Sequence, residues 1–157
     1  MTIYEAITDD HRSHLDLLEK LSETSGDTTD RRALWNKFFY DVKAHAAAEE
    51  ETFYSKLIAT VDGQPDARHS VHEHQELDDI MEELNDMDMS SPGWLTRFKT
   101  LKHDYEHHMD EEEEDIFMRA RDELGKDASG EIGQRFQERK AKEIDLVDKK
   151  AEEALED

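Results

Sequence analysis

His11, His45 and Glu49 recur at a constant offset of 63 residues as His74, His108 and Glu112. Apolar positions follow the same shift: Leu18 with Met81, Leu21 with Leu84, Phe38 with Leu101, Phe53 with Ile116. Histidine and glutamate are costly to bury, so their repetition within apolar stripes marks a duplicated unit kept for a common purpose. Within each copy the His and Glu stand four apart, which on a helix points both the same way. The repeat therefore asks for a fold in which two helical hairpins bring their polar residues together.

The spacing of apolar residues predicts five helices, over 3–21, 31–59, 67–87, 92–124 and 131–155. Ile7, Leu15, Leu18 and Leu21 mark the inner face of the first, with His14 as the alternative to Leu15. Asp30 or Thr29 is the expected cap of the second helix, and Ser91 with Pro92 begins the fourth. Gly125 is its expected stop. Short connections make the first four helices antiparallel neighbours. The expected fold is all-α: an up-down-up-down four-helix bundle over residues 1–125, with 126–157 a charged helical extension of the same domain. Ile132, Phe136, Ile144 and Val147 are the sparse apolar residues of that last helix, which leaves three fates open: packing on the bundle, pairing with a protein partner, or fraying. Trp35 and Trp94, near helix starts, belong to the core at the end of the bundle.

Register places the polar residues at one depth. Counted from the first turn near Asp27, His11 lies 16 residues before and His45 18 after; counted from the third near Ser90, His74 and His108 repeat those figures. At 1.5 Å per residue each pair meets within about one turn. Four imidazoles and two carboxylates in one layer suit two metal ions, with Glu49 and Glu112 bridging and neutralising them. The mixed nitrogen and oxygen set fits iron or manganese and accepts zinc.

Composition narrows the chemistry. The chain of 157 residues has no cysteine, so thiolate ligands and disulfides are excluded, and any transition-metal site must use its nine histidines and its carboxylates. A net charge of −22 disfavours nucleic acid and anionic membranes. No apolar run approaches the roughly 20 residues of a membrane span. The acidic start MTIYEAITDD lacks a signal-peptide core, and a cytoplasmic location is the expectation.

The order His, His-x3-Glu, His, His-x3-Glu on four helices resembles the hemerythrin-like, or HHE cation-binding, domain. DDHRSHLDLLEKL resembles that family's first helix, HAAAEEETFYSKL the second, HEHQELDDIMEEL the third and HHMDEEEEDIFMRA the fourth. The resemblance implies a non-heme, oxygen-bridged pair of iron ions, bridged by Glu49 and Glu112, with His11, His45, His74 and His108 as terminal ligands. It implies a dioxygen, peroxide or nitric oxide molecule as the natural partner. Oxygen carriers of the family place a fifth histidine where this chain has Asp78, and space the last pair His-x4-Asp, where this chain has His108-x3-Glu112 or His107-x4-Glu112. Those departures fit members that sense, scavenge or turn over such ligands, or hold iron. His14, Asp78 and His107 stand as alternates that would complete the coordination.

Two other classes remain beside a binding protein. One is an enzyme consuming peroxide or nitric oxide, which the residues do not separate from a binder because the metal would carry the chemistry. The other is an interaction module in which metal only stabilises the bundle. Tyr105, one turn before His108, is expected to be core or to hydrogen-bond into the site. His69 and His103 are expected at the surface or beside the ligands, and His72, pointing away from His74 on the same helix, is the alternative to it; the acidic neighbours Glu50, Glu51, Asp110, Glu111, Glu113, Glu114 and Asp115 are expected to be solvated, one carboxylate excepted as acceptor for a ligand imidazole.

Overall fold

A computed structural model describes residues 1–156, with side chains described to residue 146 except at 127. Every regular element among the described residues is helical. In chain order these are α1 (Ile3–Ser22), α2 (Thr29–Glu49), α3 (Ser55–Ile58), α4 (Gln64–Asp86), α5 (Pro92–Glu111), α6 (Phe117–Leu124) and α7 (Lys126–Glu156). The expected bundle forms: α1 packs on α2, α4 on α5, α1 on α5 and α2 on α4, and α7 lies across α1 and α2.

Local chemistry sets the boundaries. Thr2 and Glu5 form a reciprocal capping box at the start of α1. The cap of α2 is Thr28, whose hydroxyl accepts from the Arg31 amide, and neither Thr29 nor Asp30 serves. Ser91 caps α5 with Pro92 at its first position. Gly125, at φ +76°, ends α6, a conformation that a side chain would strain.

Two apolar clusters fill the bundle. One holds Trp35, Phe38, Leu84, Trp94 and Phe98; the other holds Ile3, Phe53, Ile116, Phe117 and, from α7, Ile132 and Phe136. The His and Glu layer lies between them. His11 sits between Ile7 of one cluster and Leu17 of the other, and His45 between Val42 and Ala48. Arg31, buried, ties the two loops at the Trp end: it donates to Thr24 and to the Met89 carbonyl and lies 4.7 Å over the Trp94 ring.

Helix α7 resolves as packing over its first turns, beginning earlier than expected, at Lys126. Gly133 permits the approach: a Cβ there would stand 2.5 Å from the Met1 carbonyl oxygen and 2.8 Å from the Ile3 nitrogen. Ile144, expected with the apolar face, is exposed, and the Val147 side chain lies outside the described residues. Leu15 also departs from expectation, at 38% exposed, because the inward position on α1 belongs to His14, which is fully buried. No helix among the described residues is long and apolar enough to cross a membrane.

Candidate metal centre

The bundle brings the six repeated residues to one point. His45, on α2, places Nε2 2.8 Å from Glu49, and His74, on α4, reaches the same carboxylate at 3.3 Å. His11 Nε2 lies 3.2 Å and His108 Nε2 3.7 Å from Glu112. Donor atoms of His11, His45 and Glu49 lie within 4.8 Å of one another, as do those of Glu49, His74, His108 and Glu112. Glu49 belongs to both groups. Both glutamates are wholly buried.

The outer edge of each imidazole faces a carboxylate. His45 Nδ1–H donates to Asp10 at 2.7 Å and His108 Nδ1–H to Glu73 at 3.0 Å. His11 Nδ1 lies 3.4 Å from Glu113 and His74 Nδ1 3.9 Å from Glu50, within ion-pair reach and without hydrogen-bond alignment. Asp10 and Glu73 are themselves 63 apart, as are Glu50 and Glu113. The duplication thus extends to the carboxylates that face the rings, and the two of the four that accept a hydrogen bond, Asp10 and Glu73, lie outside the acidic runs flanking the His-x3-Glu pairs. A carboxylate on Nδ1 fixes the tautomer that leaves Nε2 as an inward lone pair, the form a metal ligand needs.

Backbone geometry repeats too. Each glutamate is accompanied by one π-helical turn, Glu50–Tyr54 directly after Glu49 and Glu112–Ile116 starting at Glu112. Such turns are rare and frequent at functional sites, and the extra residue rotates the helix beyond it. Here the first delivers Tyr54, whose buried hydroxyl donates to Glu112. Helical spacing alone did not single out Tyr54; its repeat partner is Phe117, so only one glutamate receives a phenol.

Charge in this layer is tightly balanced. Burial opposes protonation of His11, yet the close carboxylates of Glu112 and Glu113 outweigh it and raise its pKa to about 10. His74 behaves alike, burial being overcome by Glu49 and Glu50, also to about 10. Glu49 resists burial and is held well below the carboxylate range by His45 and His74. Burial raises Tyr54 further, with the charges of Glu112 and Glu49 adding to it. Both oxygens of Glu49, Oε1 of Glu112 and both nitrogens of His11 lack a formed hydrogen bond. Buried polar atoms are rarely left so. His74 Nε2 and His108 Nε2 meet at 3.2 Å, but converging donors left otherwise unpartnered fit a divalent or trivalent metal between them, and mixed N and O donors fit iron.

The alternates separate clearly. His14 does not join the cluster. Its Nε2–H donates to Asp41 at 2.6 Å, and its Nδ1, 2.7 Å from the Tyr105 oxygen, accepts that hydroxyl. Burial lowers His14 to about 4, so the ring stays neutral, against the pull of Asp41. Tyr105 accordingly bonds to His14 and to no candidate ligand. Asp78 pairs with Lys43 at 3.2 Å on the surface. His107, 71% exposed, faces Glu111 and cannot replace His108. His69, His72 and His103 are at the surface, so that His74 and not His72 holds the inward position.

Beside His45, His74 and His108 is a chamber of about 40 Å³, walled by Val42, Leu77, Met81 and Tyr105. It adjoins an open groove of about 660 Å³ over Ala46, Ala47, Ile58 and Val71, with which it shares Lys43, Ala46, His74 and Asp78. On the opposite side, α7 closes the layer. Phe136 stands edge-on to His45 at 5.4 Å, and Lys140 bridges Asp10 at 3.0 Å and Asp41 at 3.1 Å.

The comparisons with known proteins agree with this architecture. A crystal structure of a hemerythrin HHE cation binding domain-containing protein from Mycobacterium kansasii superposes with a TM-score of 0.80 over 91% of this chain and 87% of that one, at 24% identity. A DNA nickase of Nostoc sp. is 25% identical over 142 residues, 90% of this chain, which spans 40% of that relative's length. The hemerythrin HHE cation binding domain matches residues 2–120, from α1 into α6, and the chain belongs to that family.

Proposed function

We propose that the protein is a non-heme di-iron protein that binds or reacts with a small oxygen- or nitrogen-based ligand: dioxygen, peroxide or nitric oxide. The observation that carries the reading is the pair of donor groups sharing Glu49, with buried oxygens that nothing else satisfies. His11, His45, His74 and His108 would be terminal ligands, and Glu49 and Glu112 bridges. Two iron ions there would supply Lewis-acid and redox chemistry to the small ligand.

The chain's own residues shape the rest. Asp10 and Glu73 hold His45 and His108 in the ligating tautomer. Val42, Leu77 and Met81 give the chamber apolar walls, and its volume of about 40 Å³ admits about one small molecule. Tyr54 holds a proton at the Glu112 oxygen, a phenol donor at the bridging position itself. A purely structural metal would need neither chamber nor phenol, which favours reaction over scaffolding. Asp78, turned to Lys43, supplies no fifth histidine, so the reduced protein is expected to oxidise in dioxygen and not to carry it reversibly. The charge of −22 opposes a phosphate backbone and gives no support for a DNA-directed role.

Elemental analysis after expression in ample iron tests the reading. Close to two irons per chain are expected, with near-ultraviolet absorption typical of bridged ferric pairs. Protein that takes up no metal under gentle, chelator-free purification would refute it. Stopped-flow mixing of the reduced protein with dioxygen tests the second part: a spectrum that bleaches and returns as oxygen is removed and restored would mean a carrier.

A further inference from the structure

The repeat breaks in a patterned way on the outer faces. On the α1/α2 face stand Ala6, Ala44 and Ala48, all buried, with Ala6 and Ala48 in the same cluster as Ile132 and Phe136 of α7. Sixty-three residues on, the same positions of the α4/α5 face hold His69, His107 and Glu111. Asp10 of the first face corresponds to Glu73 of the second. Small residues that admit a helix have become imidazoles and a carboxylate, and no helix lies on them among the described residues. The spacing also reappears: His69-x3-Glu73 on α4 and His107-x3-Glu111 on α5 repeat the His-x3-Glu pattern of the inner layer.

Three of these side chains converge, and His107 lies beside them. His69 Nε2 lies 3.3 Å from Glu73 Oε1 and 2.9 Å from Glu111 Oε1, and the three donor atoms fall within 4.8 Å of one another. His107 Nε2 is 3.8 Å from the other oxygen of Glu111. Separations near 3 Å match the edges of a coordination shell with metal–ligand bonds of about 2.0–2.2 Å. We propose that His69, Glu73, Glu111 and His107 form a third cation site, for a divalent transition metal such as Zn(II) or Fe(II). Two imidazoles and two carboxylates are the donor set for such ions, and half-exposed ligands make the site exchangeable.

The site touches the inner layer through one residue. Glu73 Oε1, 3.3 Å from His69, is also the oxygen that accepts from His108 Nδ1 at 3.0 Å. A cation on Glu73 would therefore sit one carboxylate away from a candidate ligand of the centre. The acidic surface concentrates cations around it. The outer site is thus a staging point for iron entering the bundle. The site itself stands whatever fills the centre; the staging role rests on the di-iron reading.

The test uses the iron-loaded, full-length protein dialysed against micromolar zinc, with iron and zinc counted together. One zinc beyond the two irons is expected, and His69→Ala and His107→Ala should each weaken it by about 10-fold or more with iron unchanged. Cu(II) in place of zinc should give an electron paramagnetic resonance spectrum split by two imidazole nitrogens. Zinc bound equally well by wild type and His69→Ala would overturn the site and show only diffuse attraction to an acidic surface. A His69-dependent zinc in protein that holds no iron would refute the di-iron reading and leave the site standing. If His69→Ala loses the zinc but takes up ferrous iron as fast as wild type, the staging role fails.

Discussion

The two halves of the duplicated unit agree at the centre and part ways around it. Each supplies two imidazoles, one buried glutamate, two carboxylates that face imidazole edges and a π-helical turn. Outside that set they diverge. Against α1 and α2, His14, Asp41 and, contributed by α5, Tyr105 form a saturated polar chain under α7, with Lys140 spanning Asp41 and Asp10. The repeat equivalents of His14 and Tyr105 are Leu77 and Val42, which wall the chamber. The side of the layer under α7 is plugged, and the side away from it is open. The difference separates two roles: the repeated residues build the candidate metal centre, and the unrepeated ones set which side of it is open.

The largest expected effect is where the halves agree. Glu49→Ala and Glu112→Ala should each reduce iron from two per chain to near zero, because a shared carboxylate contributes to both ions. Elemental analysis checks this. Retention of one iron in either variant would show that the glutamate serves a single ion, and the two halves would then be unequal at the centre as well.

Next comes the dependence on α7. Phe136 fills space between His45 and the second apolar cluster. Phe136→Ala should cost about 3–5 kcal/mol by chemical denaturation, the usual range for an emptied aromatic site. Gly133→Ala should lift α7 from α1 by driving a Cβ into the Met1 and Ile3 backbone, and protease should then cleave α7 first. Resistance equal to wild type would show that α7 is not held by that contact.

The legibility of these features in the sequence has physical causes. The six-residue cluster was legible because a buried His or Glu in an apolar stripe violates the helix pattern, and the 63-residue offset doubled the signal. The same offset contained Asp10 with Glu73 and Glu50 with Glu113, but these lie on half-polar faces where a carboxylate violates nothing. His14 was harder to place because it sits 60° from His11, and that angle alone does not separate seam from core; its burial depends on Asp41 and Tyr105, which come from two other helices. Tyr54 was hidden by the π-helical turn, which shifts its direction away from ordinary 3.6-residue spacing. The seat of α7 depends on Gly133, whose role exists only through the backbone it approaches.

The polar plug carries a pH signature. The folded ring of His14 titrates near 4, while an unfolded one titrates near 6.5. Above 6.5 both forms are neutral and the full contribution is present. As the pH falls from 6.5 toward 4 the unfolded chain takes up a proton that the folded chain refuses, and stability drops by at most about 1.4 kcal/mol per pH unit. His14→Ala should remove this acid dependence and cost about 2–3 kcal/mol at pH 7, through an emptied site and two unpaired partners. Its iron content should stay near two. In metal-free protein, His11 and His74, raised to about 10, act oppositely: their contribution is full below 6.5 and declines as the pH rises through 10. Iron, by taking those nitrogens, should abolish that alkaline loss. Urea melts at stepped pH, with and without iron, separate the two.

The smallest effect sets the finest comparison, between one lysine on each side of the layer. Lys140 is 16% exposed and sits between Asp10 and Asp41, which orient His45 and His14. Lys43, on the open side, pairs with Asp78 and Glu82 at the rim of the groove, where water screens it. Removing the charge from Lys140 leaves two carboxylates facing each other with less water to separate them, whereas removing it from Lys43 leaves two that solvent reaches. Lys140→Met keeps the length of the side chain and should cost about 1 kcal/mol; Lys43→Met should fall within about 0.5 kcal/mol of wild type. A double-mutant cycle of Lys140→Met with Asp41→Asn isolates the pair, and a coupling of at least about 0.5 kcal/mol is expected. High salt should shrink the Lys43 effect more than the Lys140 effect, because screening acts on exposed charge. Equal costs and equal salt sensitivity would mean that α7 does not seal its half electrostatically, and that the plugged side is closed by Phe136 alone.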